Sequence, residues 1–250
     1  MHPSFEGKVL GHIAVNYHRC ETCASLILPS PHWLEEAYSK TIIPDPDQGS
    51  LNRSMFVHRC IRRLRATRVR LLPRQFRSLD VGCGKGLLLR LLLDEGMDAW
   101  AYDPYPKSIY AEDRILSEFP SGGGFDLVTL IEVLEHTLDP VDTLARFRTS
   151  LAPSGLILAS TELFDESIHG KNWHYLAPEH GQHITLFSRQ GLQIACDKAG
   201  LDWLETLSWG KVPFLHILAP KGTPISPWAA WLLKRRHRLG ESRFCKDRRV

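Results

Sequence analysis

The sequence predicts an α/β fold: a doubly wound, mostly parallel sheet with helices on both faces, plus a small N-terminal element and a basic C-terminal tail. Three observations predict it. Strand-length apolar runs alternate with helical runs through the middle of the chain, at 78–81, 87–95, 98–103, 125–131, 140–151, 155–161 and 189–199. The first strand ends in a turn holding Gly82, Gly84 and Gly86, and an apolar helical run, 87–93, opens directly from it. The next strand ends in an acid, Asp103. Strands separated by helices pair in parallel, because the helix carries the chain back to the starting edge.

Taken in order, residues 1–50 form an N-terminal element and linker, 51–220 the main domain and 221–250 a basic segment. Pro44, Pro46, Gly49 and Asn52 predict a linker over 44–54. Phe56, Ile61, Leu64, Leu71 and Leu72 recur among arginines and predict a helix over 55–72. The 125–131 strand runs on into Glu132, Glu135 and His136. Ser188 stands where it can cap the helix over 189–199.

Composition sets the class. Hydrophobic residues make up 43% and charged residues 24% of 250 positions, ordinary values for a soluble globular protein. No apolar run approaches the roughly 20 residues of a membrane-spanning helix, and the first residues lack a basic-then-apolar leader pattern. Six scattered cysteines do not form a disulfide framework. A reducing, cytoplasmic setting is expected. The net charge of +3 hides an asymmetry. Residues 51–77 hold nine arginines and no acid, residues 221–250 carry +7, and the rest of the chain is therefore at −13. An anionic surface or a nucleic acid is one partner for such segments. A solvated helix face pairing with the acidic body is the other reading. The aromatic-basic block at 227–238 either docks on the domain or lies at a membrane surface.

The glycine turn carries the chemistry. A strand, a Gly turn and a helix start let backbone approach a nucleotide-like ligand. A dinucleotide fingerprint would place the third glycine at 87, but here it stands at 86. Asp103 suits a ribose, since one carboxylate can accept from both ribose hydroxyls. Turn, helix and acid in register favour a ligand over a bare tight turn.

The G-x-G-x-G pattern behind Asp80 resembles motif I of the class I S-adenosylmethionine-dependent methyltransferases. Residues 151–159 resemble the family's L-x-P-G-G turn and fifth strand, with Ser154 in place of the first glycine. Residues 175–188 resemble the P-x-H … F-S segment of one subgroup. The resemblance covers roughly residues 51–218 and implies a Rossmann-like domain closed by antiparallel strands at 201–207 and 213–218. It implies S-adenosylmethionine as cofactor, held by Asp80, Gly82, Cys83, Gly84 and Gly86 near its methionine portion and by Asp103 at the ribose. Glu132 joins this cofactor set, and adenine contacts are expected near 115–119.

On the acceptor side, Glu135, His136 and His183 are the candidate catalytic residues. The E-x-x-E-H segment at 132–136 is similar to one in ubiquinone-pathway and small-RNA 2′-O-methyltransferases, where it binds a divalent metal that acidifies a hydroxyl. That resemblance makes Glu132, Glu135, His136 and His180 candidate metal ligands. The other reading binds no metal: Glu135 is a helix N-terminal acid and His136 a base or acceptor orienter. Cys20-x-x-Cys23 resembles the second half of a small zinc ribbon. Structural zinc wants four ligands, and no cysteine precedes Cys20, so a ribbon remnant without metal is the expected state. The implied function is methyl transfer from S-adenosylmethionine to a hydroxyl of a small-molecule acceptor such as a sugar or quinone-like metabolite. An RNA methyltransferase using the basic segments and a non-catalytic cofactor-binding module are the competing functions.

Overall fold

The computed structural model describes residues 1–40, 48–66, 75–105, 110–210 and 212–223. The chain opens with β1 (His2–Val9), β2 (Ile13–Arg19), β3 (Leu26–Ile27) and α1 (Leu34–Lys40). Next come α2 (Gln48–Ala66), β4 (Arg77–Val81), α3 (Leu87–Asp94), β5 (Asp98–Tyr102), β6 (Phe125–Ile131), α4 (Pro140–Arg148) and β7 (Leu151–Ser160). It closes with β8 (Thr185–Leu186), α5 (Arg189–Lys198), β9 (Leu201–Trp209) and β10 (Val212–Pro220).

Six strands form the main sheet in the order β5-β4-β6-β7-β10-β9. The first four are parallel to their neighbours, and β10 and β9 close the sheet antiparallel. Successive residues of a strand point to opposite faces, and the packing follows that alternation. Leu127, Leu156, Leu158, Leu215 and Ile217 pack with Val57, Ile61 and Leu64 of α2 and Leu88, Leu89 and Leu92 of α3. Leu79, Val128, Leu130, Ile157 and Leu218 pack with Leu144 and Phe147 of α4 and Leu192, Ala195 and Cys196 of α5. Helices therefore cover both faces. This is the Rossmann-like architecture the alternating runs predicted.

The helix predicted over 55–72 starts earlier, at Gln48, so the second half of the predicted 44–54 linker is helical. Gly49 and Asn52 are poor helix formers, but they fall in the first turns, where tertiary packing of the rest of the helix outweighs propensity. Phe56 stacks on Trp209 of β9 at 5.6 Å, and Glu95, after α3, pairs with Arg62 at 3.1 Å and Arg65 at 2.9 Å and lies 3.1 Å from His58 Nε2. Two of the helix arginines, Arg62 and Arg65, thus pair with the acidic body. Residues 67–74, at the end of the predicted helix, lie outside the described residues, as does the C-terminal segment from 224, including the 227–238 block. No helix among the described residues is long and apolar enough to cross a membrane.

A second, antiparallel sheet has the order β1-β2-β3-β8. Its last strand comes from the main body, through Leu26↔Leu186 and Ile27↔Thr185. Val9, Tyr17, Leu26 and Trp33 share one core with Trp173, Tyr175, Ile184 and Leu186. The N-terminal element is thereby packed on the segment that carries His183.

Candidate active site

The carboxyl ends of β4, β5, β6 and β7 lie side by side, and the loops leaving them line one crevice, the usual ligand position in such a sheet. After β4 the chain turns through Gly82, Gly84 and Gly86, with φ of 67°, 52° and 82°. A Cβ at Gly82 would stand 2.7 Å from Val133 Cγ2 as well as in a left-handed conformation, so this position requires glycine. Gly86 leads directly into α3. Asp103 faces the turn: its Oδ2 accepts the Gly84 N–H at 2.9 Å and its Oδ1 the Tyr105 N–H at 2.8 Å. Each oxygen keeps a further lone pair for a ligand hydroxyl. Cys83 is half-buried in the turn, and burial with the nearby Asp80 and Asp103 charges raises its thiol pKa. Asp80 lies beneath, buried, accepting the Thr129 hydroxyl at 2.6 Å. Burial pushes its pKa up to about 7, against the lowering effect of that hydrogen bond and with a smaller push from Asp103. In the 115–119 segment Ile115 bridges Ala101 beside β5, and Phe119 meets the Tyr102 ring edge-on.

The other half of the crevice is built from side chains. Glu132 leaves β6 with φ of 56°, a strained position for a non-glycine residue. Two reciprocal bonds to Ser160 hold it there: the Glu132 N–H donates to Ser160 Oγ, and the Ser160 hydroxyl donates to Glu132 Oε1, each at 2.8 Å. The single turn Leu134–His136 then places Glu135 and His136. The Tyr175 hydroxyl donates to Glu135 Oε1 at 2.6 Å and lies 3.3 Å from both Glu132 Oε1 and Thr161 Oγ1. Glu135 Oε2 is buried with no hydrogen-bond partner. Burial pushes both carboxyls to about 7. At Glu132 the Glu135 charge adds to burial, while Ser160, Arg53 and His183 oppose it; at Glu135 the Tyr175 hydrogen bond opposes it.

His183 is fixed by its backbone. Its Nδ1 lies 2.6 Å from the Tyr175 carbonyl. A carbonyl only accepts, so Nδ1 carries the proton and Nε2 keeps its lone pair. The Ile184 N–H donates to the Glu135 carbonyl at 2.9 Å, clamping this segment to the Glu135 turn. His136 packs edge-on to His183 with centroids 5.0 Å apart. Burial and the neighbouring His183 and His180 lower the His136 pKa to about 3, and burial lowers that of His183. Both rings are therefore neutral at pH 7. Donor atoms of Glu135, His136 and His183 lie within 4.8 Å of one another.

His183, not His180, completes this cluster. Gly181, with φ of 65°, reverses the chain between them and is buried against Leu10 and Trp33. That turn leaves His180 exposed, 3.9 Å from Glu179. Glu132, assigned by sequence to the cofactor side, has its carboxylate beside Tyr175 and Glu135. Cys20 and Cys23 sit in the turn between β2 and β3. There burial would raise the Cys20 pKa, but N–H groups of Cys23 and Thr22 outweigh it and lower it. Among the described residues no third metal-ligating side chain joins them. Sequence reasoning missed Ser160, Thr161, Arg53 and Tyr175, although Tyr175 opens a segment it singled out. It also missed Tyr38 of α1, whose hydroxyl lies 3.2 Å from His136 Nδ1.

Residues 55–206, more than half of the chain, match the family described as "Methyltransferase domain". The chain belongs to this methyltransferase family. Among curated proteins, the methyltransferase is 32% identical over 148 residues to the ubiquinone biosynthesis O-methyltransferase of Cereibacter sphaeroides (strain ATCC 17025 / ATH 2.4.3), covering 50% of this chain and 60% of that one. It is 26% identical over 166 residues to the protein of the same name from Aromatoleum aromaticum, covering 56% of this chain and 70% of that one. The aligned region thus spans about six-tenths of the length of the first of these relatives. Among solved structures, TnmH aligns over 76% of this chain and 64% of its own at 18% identity, with a TM-score of 0.49.

Proposed function

We propose that this methyltransferase uses S-adenosylmethionine to methylate a hydroxyl of a small-molecule acceptor, in a reaction assisted by a divalent metal at Glu135, His136 and His183. The convergence of those three side chains beside the glycine turn carries the reading. The turn fits the cofactor: three glycines in left-handed conformations leave its backbone without side chains, and Asp103 lines the same turn. When bound, S-adenosylmethionine supplies an already electrophilic methyl group. The protein's task is then to orient the acceptor oxygen in line with the methyl and to take up its proton.

The donor set fits a divalent metal. The orphaned Glu135 Oε2 is a buried acceptor lacking a donor, the His183 Nε2 lone pair is free of its tautomer-fixing bond, and a mixed carboxylate and imidazole set suits such ions. When bound, the metal lowers the pKa of a coordinated hydroxyl. Tyr175 holds Glu135 in place and Ser160 holds Glu132. Glu132, with a pKa near 7, accepts the hydroxyl proton at neutral pH. A vicinal diol suits this site, since Glu135, His136 and His183 would hold the metal with three protein donors and leave it able to take acceptor oxygens. The ubiquinone-pathway names of the relatives support a quinol-like acceptor.

The test is turnover with S-adenosylmethionine and a panel of catechols, quinols and sugars, with Mg²⁺, Mn²⁺ or EDTA added. Methylated diol formed with metal and lost with chelator is expected. Turnover indifferent to chelator would remove the metal, and transfer only to amine or carbon acceptors would overturn the hydroxyl reading.

A further inference from the structure

Tyr38 belongs to α1, outside the residues that match the family, yet it reaches both halves of the crevice. Its hydroxyl meets His136 Nδ1 at 3.2 Å, and its ring stacks on Tyr105 with centroids 5.2 Å apart and planes 16° from parallel. Tyr105 in turn donates its N–H to Asp103. The segment carrying Tyr38 is held firmly over the site. Trp33 Nε1 donates to the Gly181 carbonyl at 2.7 Å, Gln182 Nε2 to the Ala37 carbonyl at 3.2 Å, and the Leu10 N–H to the Pro178 carbonyl at 2.9 Å.

We propose that Tyr38 is a positioning residue for the transfer reaction, its phenol oxygen accepting the His136 Nδ1 proton and so keeping the Nε2 lone pair of His136 free for the reacting site. A neutral imidazole has one N–H and one lone pair, and a hydroxyl partner alone does not choose between the two tautomers. The surroundings choose. Nδ1 of His136 has the Tyr38 hydroxyl at 3.2 Å as its partner, and His136 brings a donor atom within 4.8 Å of donor atoms of Glu135 and His183. His183 adopts the same arrangement, with Nδ1 protonated toward the Tyr175 carbonyl. Both imidazoles then keep an Nε2 lone pair, in a cluster whose donor atoms lie within 4.8 Å of one another. The Tyr38 hydroxyl is left with its own proton, to donate to an oxygen of the acceptor. The N-terminal element is by this reading part of the acceptor site.

The inference rests on the proposed function only for what Nε2 does, and its test is chosen to stand apart from that. In a ¹⁵N-histidine-labelled chain, long-range ¹H–¹⁵N correlations report the tautomer of each ring. The His136 signals are identified by their loss in His136→Gln. The expected wild-type pattern is Nδ1 protonated and Nε2 bare. Tyr38→Phe keeps the ring and its stacking and deletes the hydroxyl; its His136 signals should move to a mixture of tautomers. Its kcat should fall about tenfold, the worth of one ordinary net hydrogen bond, with the KM for S-adenosylmethionine unchanged. A wild-type spectrum with the proton on Nε2 overturns the proposal even if the variant does not fold, and so does an unchanged tautomer in a folded Tyr38→Phe. Failure to methylate any hydroxyl would refute the proposed function while the spectra still judge Tyr38.

Discussion

The two halves of the crevice are built by different means. The cofactor half is mostly backbone: three left-handed glycines, a helix start and one carboxylate, within 22 residues of sequence from Gly82 to Asp103. The acceptor half is mostly side chains drawn from separate segments: Tyr38, Arg53, Glu132 to His136, Ser160 and Thr161, and Tyr175 to His183. The first is specified by local sequence and tolerates little change in the chain's path. The second depends on the whole fold to bring buried, mutually repelling groups together, and it holds two of the three carboxyls raised to about 7, Glu132 and Glu135, beside the lowered imidazoles of His136 and His183. Electrostatic cost is held where chemistry is proposed.

The comparison can be broken in several ways. Glu135→Gln should cost about a thousandfold or more in kcat, since it removes a charged ligand and proton-handling group at once, while cofactor affinity by calorimetry stays within about twofold. Loss of cofactor binding in this variant would show that the halves are not separable. Asp103→Asn should do the reverse, weakening S-adenosylmethionine by roughly 10- to 100-fold through lost charge-assisted hydrogen bonds with acceptor KM little changed. Gly82→Ala should destabilise the fold by about 1–3 kcal/mol, seen as a lower thermal midpoint. Adding Val133→Ala should recover the part due to the contact but not the part due to the left-handed backbone.

Stability against pH tests the stored charge. Asp80, Glu132 and Glu135 have folded-state pKa values of about 7, above their ordinary 3.8 and 4.5. Their stabilising contribution is complete below the ordinary values and is lost as pH rises through 7. His136 and His216 are shifted the other way, to about 3 and 4, so theirs is complete above 6.5 and is lost as pH falls toward those values. The ligand-free protein should melt several degrees lower at pH 8 than at pH 6. Cofactor and Mg²⁺ should raise the midpoint more at pH 8. A midpoint that climbs from pH 6 to 8 without ligand would contradict the burial of these acids. The smallest effect belongs to His180→Ala, expected to change kcat by less than about twofold; a larger loss would return His180 to the reacting set.

This division explains what the sequence made legible. β4, the turn, α3 and Asp103 could be read directly, because glycine spacing and strand-to-helix periodicity are local. Glu132, Glu135 and His136 could be read as a cluster because one short segment holds them. The partner histidine was ambiguous, since His180 and His183 differ only in which side of the Gly181 turn they fall on, and that turn is set by Leu10 and Trp33, far away in the chain. Tyr38 stood in the ribbon-like N-terminal segment with no signal linking it to the site: it lies 98 residues from His136. The start of α2 was misplaced because Gly49 and Asn52 signal a linker and only packing overrules them.

The two-residue strand β8 also has a consequence for how the chain is made. Leu26 and Leu186 are adjacent in the small sheet but 160 residues apart in sequence. At typical synthesis rates the ribosome needs on the order of ten seconds to cover that distance. Through that interval the β1–β2 hairpin and β3 wait with an uncovered edge, the kind that invites pairing with another chain. A segment translated 160 residues ahead of its partner strand is thus completed only once Leu186 has emerged. A nascent-chain folding assay should find residues 1–40 protease-sensitive until the chain extends past Leu186, and protected soon afterwards.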